Sequence, residues 1–163
     1  MSISAYTFSL GIMICAIALA VLVAYLAHAS KRKIAAALLA GFVIAAFNFI
    51  IEWFGAEHQI YSVHGLWPIG HSALSLSLAW MFFTMSFALG SEFVRKRPRP
   101  RLALALYLGF GIVAGILSDY LGEVETRHFT MGPNGSWIYI SAIWLSLTPL
   151  SVAFFRLFAR RSP

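Results

Sequence analysis

The stretch IAAALLAGFVIAAFNFIIEWF, residues 34–54, decides the class of this protein. It holds no basic residue and only one acid, Glu52, and it is long enough to cross a bilayer as a helix, which takes about 20 mostly apolar residues. Four more stretches of the same kind flank it, at 7–29, 72–94, 102–121 and 137–158. The chain as a whole is 60% hydrophobic and 11% charged over 163 residues, against about 25% charged in a typical soluble domain. Mean hydropathy is +0.80. Eighteen Lys, Arg, Asp and Glu side chains (12 basic, 6 acidic) cannot clothe a soluble globule of this size. A soluble domain, a disordered chain and a disulfide-stapled module are excluded. The expected fold is all-α: a single polytopic helical membrane domain over residues 1–163, with five spans.

Cys15 stands alone in an apolar run, so it is read as a small hydrophobe and offers no disulfide or thiolate cluster. The Ala27-His28-Ala29 segment looks like a signal-peptide cleavage site. No basic residue precedes it and its apolar run is too long, so the first span is expected to be retained.

Basic residues set the expected orientation. Lys31, Arg32 and Lys33 follow the first span, Arg95, Lys96, Arg97, Arg99 and Arg101 lie between the third and fourth, and Arg156, Arg160 and Arg161 close the fifth. Eleven of the twelve basic residues thus share one side. The positive-inside rule places that side, and the C-terminus, in the cytoplasm, with the N-terminus outside. A plasma or inner membrane is the expected location, with the lipid bilayer as the first partner. Other membrane subunits or a second copy are further expected partners. No nucleic acid is expected, because no aromatic residues interleave the basic run.

Acids and histidines show the opposite bias. Glu52, Glu57, Asp119, Glu123 and Glu125 fall on or near the outer side, as do His58, His64, His71 and His128, while Glu92 lies inside. Spans two and three form one hairpin, spans four and five another. Their rising helices end alike, in Glu52-Trp53-Phe54-Gly55 and Asp119-Tyr120-Leu121-Gly122, which suggests a parallel internal repeat. On helical spacing Gly41, Ala45, Asn48 and Glu52 share one face, and Gly111, Gly115, Asp119 and Glu123 another. Each stripe is small below and polar above, suited to close helix approach.

Glu52 and Asp119 read either as hydrated carboxylates at the interface or as a pair at the mouth of a cavity. Two converging carboxylates can exchange protons with a substrate or bind a cation. With Glu123 they form the expected catalytic set. His58, His71 and His128 are candidate ligands for a divalent metal ion. Glu125-Thr126-Arg127-His128 has a Glu-x-x-His spacing that a helix would put on one face, a spacing used twice in di-iron bundles. Trp53, Trp67 and Trp137 fit an interfacial belt. Trp80 and Trp144 lie mid-span, packed on helices or lipid, or lining a greasy pocket for an isoprenoid, quinone or pigment. Pro149 should kink the fifth span.

Three functions are compatible with this pattern. The first is a membrane enzyme doing acid–base or metal-assisted chemistry on an apolar lipid- or isoprenoid-like substrate. The second is a non-catalytic subunit of a membrane complex. The third is a small transporter or channel component.

Overall fold

A computed structural model describes residues 4–161. It contains five long helices: α1 (Ala5–Leu26), α2 (Lys31–Glu57), α3 (Leu74–Val94), α4 (Pro100–Leu121) and α5 (Trp137–Arg161). All five are long and apolar enough to cross a membrane. Local chemistry sets their ends. Ser4 and Ser30 cap α1 and α2, each accepting the N–H three residues on. Pro100 opens α4, where its missing N–H costs nothing. Because Ser30 caps it, α2 begins at Lys31, and it runs on to Glu57, beyond both limits read from hydropathy.

Over the most apolar 18 residues of each helix, mean hydropathy is 1.4 for α3 and between 1.7 and 2.6 for the others. The buried positions of α3 include Ser75, Ser77, Thr84, Ser86 and Ser91. Small and hydroxylated side chains suit a helix surrounded by protein rather than lipid. The other four helices all pack on it. Gly41 lets α2 come against the backbone of α3 at Met81, with no room for a Cβ. On α4 the glycines do something else. Gly111 and Gly115 face the rings of Phe87 and Trp144, so this stripe admits aromatic side chains rather than a neighbouring backbone.

Two apolar clusters result. One, at the arginine-rich end, gathers Ala20, Ala37, Ala40, Ala88, Leu89 and Phe155. There Glu92 accepts from Lys33 at 3.0 Å and lies 3.7 Å from Arg95, while Arg32 donates to the Ala159 carbonyl at 3.1 Å. The other cluster, at the opposite end, gathers Tyr61, Phe129, Ile140 and Trp144.

The two long loops fold over that second end. Strand β1 (Tyr61–Val63) pairs antiparallel with β4 (Phe129–Met131), with Ser62 opposite Thr130. A smaller hairpin joins β2 (Pro68–Ile69) to β3 (Ser72–Ala73). Ser72 therefore belongs to a strand and not to the third span. After α4 the chain makes a π-helical turn, Gly122–Thr126, then reverses at Arg127, whose φ is 53°. That left-handed residue ends the helix, so Glu125 and His128 do not share a helical face.

Candidate acid-pair site

Glu52 sits in the last turns of α2. One turn earlier Asn48 donates its side-chain N–H to Oε1 at 2.5 Å, and the Ser72 hydroxyl, from β3, donates to Oε2. Glu52 is 4% exposed and Asn48 3%. A carboxylate withdrawn from water needs such donors, because a buried polar group without them costs several kcal/mol. The reading of Glu52 as a hydrated interfacial carboxylate is thus corrected: its solvation comes from protein.

Asp119 reaches the same place from α4. Its Oδ2 accepts the indole N–H of Trp144 at 2.7 Å. Gly115, one turn earlier, provides the space that this ring fills. Trp80 of α3 stacks near the same indole, with ring centroids 4.4 Å apart. The two carboxyl groups line one cavity of about 70 Å³, walled also by Asn48, Ser118, Ile12, Phe83, Ile140 and both tryptophans. Tyr61, Val63, His128 and Phe129 of the loops complete the lining.

The roof has its own electrostatics. Burial raises the Tyr61 hydroxyl far above its ordinary range, and the carboxylates of Glu52 and Asp119 add to the shift. Its ring stacks on Phe129 at 5.2 Å. His128 is 3% exposed. Burial pushes it down to about 4; the Gly122 carbonyl opposes the shift and His64 adds to it. A neutral imidazole therefore borders the cavity, with Nδ1 3.3 Å from the Thr126 hydroxyl and the ring 4.5 Å from that of Phe8.

The other expected site residues lie elsewhere. Glu123 does not line the cavity; its Oε1 accepts the Met131 N–H at 3.2 Å and anchors β4. His71 pairs with Glu57 at 3.1 Å, both exposed, and meets the Trp53 ring edge-on. His58 stacks on Phe54 with centroids 3.9 Å apart. His58 and His71 are thus held by different side chains at the end of α2, apart from His128 beside the cavity. Among the described residues no group of three His, Cys, Asp or Glu side chains is arranged to hold a metal ion.

Ser72, Tyr61 and Phe129 are site residues that carry no recognisable spacing. The one available signal was Trp144, a mid-span indole whose N–H must find an acceptor when buried. No protein-family model matches the chain, and neither a curated protein nor a solved structure does.

Proposed function

We propose that this protein is a membrane enzyme doing acid–base chemistry on an apolar, lipid- or isoprenoid-like substrate. The observation that carries this reading is the convergence of Glu52 and Asp119, from two different helices, on one otherwise largely apolar cavity. Each carboxyl has its own donors, Asn48 and Ser72 for one and Trp144 for the other. A pair so arranged can deliver a proton with one member and take one up with the other. Positioned acids and bases contribute about 10²–10⁴ in rate. Tyr61, Val63 and Phe129 of the β1–β4 roof line the cavity, and a site shielded from water strengthens the electrostatic interactions inside it. By the positive-inside rule the roof faces the non-cytoplasmic side of a plasma or inner membrane.

The test compares lipid extracts by mass spectrometry from membranes carrying the wild type, Glu52→Gln and Asp119→Asn. A lipid that accumulates or disappears only with the wild type, while all three proteins reach the membrane and melt alike, supports the enzyme. Identical extracts from all three overturn it. Loss of a larger hetero-complex in the variants, with extracts unchanged, would make this chain a subunit instead.

A further inference from the structure

We infer that a groove between α1, α3 and α4 holds the tail of a polyisoprenoid whose terminal double bond reaches the acid pair, an assignment that rests on the acid–base reading above. The groove has a volume of about 280 Å³ and is lined by Leu19, Phe83, Phe87, Tyr107, Phe110 and Ala114 among others. It adjoins the acid cavity: Phe83, Ser118 and Trp144 line both. From Tyr107 to Ser118 the helix rises about 16 Å, or half of a hydrocarbon core about 30 Å thick. Two of its hydroxyls are turned to the protein: Tyr107 donates to the Ser86 carbonyl at 3.1 Å, and Ser86 to the Phe82 carbonyl at 3.0 Å. The third, Ser118, lies at the end shared with the acid cavity, and the rest of the groove asks for no headgroup. A second apolar groove, lined by Phe42, Phe49 and Met81, shares no residue with the acid cavity.

The size of the cavity selects the reacting end. A water occupies about 10–15 Å³ on this measure, so 70 Å³ admits only a few small groups and no hydrated phosphate or sugar. A saturated acyl chain offers an acid nothing to protonate. The trisubstituted double bond of an isoprene unit is small and apolar, and protonation of its less substituted carbon gives a tertiary cation, the most stable that a simple alkene can form. One carboxyl gives its proton to the less substituted carbon, and the π pair becomes the new C–H bond. The tertiary cation, beside the aromatic faces of Trp80, Trp144 and Phe83, is stabilised as cations over such rings are. It loses a proton from the adjacent carbon to the other carboxylate, and that C–H pair becomes a new double bond. The product is an isomer, and one proton has moved between the two acids.

The test uses the full chain in phosphatidylcholine nanodiscs with a diazirine-bearing geranylgeraniol as probe. Photolabel should concentrate on the peptides holding Phe83–Phe87 and Tyr107–Phe110. Unlabelled geranylgeraniol should compete it away, and stearic acid should not. Ala114→Trp and Leu19→Trp, which fill the groove from opposite walls, should each lose the label, and either one that folds suffices. Label spread equally over the Phe42–Met81 groove, or equal competition by stearic acid, overturns the assignment. The Glu52→Gln/Asp119→Asn double variant should keep the label. If it does while lipid extracts show no turnover by the wild type, the tail site stands and the enzyme reading falls.

Discussion

The indole of Trp144 serves two neighbours one helical turn apart: it donates to Asp119 at 2.7 Å and lies where a Cβ on residue 115 would have to be. The carboxyl group of α4 is therefore placed by a glycine that never touches it. Gly115→Ala should push the ring aside and cost about 1–3 kcal/mol, the usual penalty of overpacking. Trp144→Phe keeps an aromatic ring but deletes the donor, at about 1–3 kcal/mol for a buried acceptor left without its partner. Both should lower the melting temperature in detergent and reduce the lipid turnover attributed to Asp119. Unchanged turnover in both would detach Trp144 from the site.

Glu52 should depend on both of its donors. Ser72→Ala removes one donor to a buried carboxyl and should cost about 1–3 kcal/mol. Asn48→Asp replaces a donor by a second carboxyl at hydrogen-bonding distance, and like charges that close oppose one another. The ranking expected from thermal unfolding is wild type, then Ser72→Ala, then Asn48→Asp as the least stable. A reversed order would mean that Asn48 does not face Glu52.

Stability should depend on pH through His128. Folded, it titrates at about 4, below the ordinary 6.5, because burial disfavours the cation. Between those values the unfolded chain binds a proton that the folded chain refuses. The contribution of His128 to stability is therefore full above about pH 6.5 and is lost as pH drops toward 4, by roughly 3 kcal/mol over the whole window. Between about pH 7.5 and 4.5 the melting temperature of the wild type should fall relative to that of His128→Gln, which lacks this component. An equal slope in both would place His128 in water.

The roof can be tested by cross-linking. Ser62 and Thr130 are directly opposed in the β1–β4 ribbon, and opposed residues on antiparallel strands lie about 4.5–5.5 Å apart at Cα, within disulfide reach. With Cys15 replaced by Ala, the pair Ser62→Cys and Thr130→Cys should oxidise readily within one chain. Failure to do so, while each single variant is reactive, would open the roof.

The spans were legible because a bilayer demands long apolar runs, and that demand leaves few alternatives. The matching tips of α2 and α4 were legible too, and with them the two acids. The roof was not. Tyr61–Val63 and Phe129–Met131 are three-residue strands, too short to show a period of two, and each finds its partner only through the packing of the whole bundle. The Trp144–Asp119 bond was hidden for a related reason: hydropathy places helices in a membrane but does not fix their rotation about their axes. The histidines misled because a shared side of the bundle is not a shared site. His58 and His71 lean on aromatic residues near the end of α2, while the turn at Arg127 carries His128 toward the bundle interior.

The donors to Glu52 have a consequence for how the protein is made. Asn48 and Ser72 belong to the hairpin that carries Glu52 itself, so this carboxyl can be satisfied as soon as α2 and α3 have left the ribosome. Asp119 leaves with α4 and must wait for α5 to deliver Trp144. β4 lies between those last two helices in the chain, so the ribbon cannot close before they begin to arrive. During synthesis the first acid is guarded from the start, and the second is the one exposed to quality control. Variants that slow insertion of α5 should therefore be degraded through an unguarded Asp119, even where every residue of the finished cavity is intact.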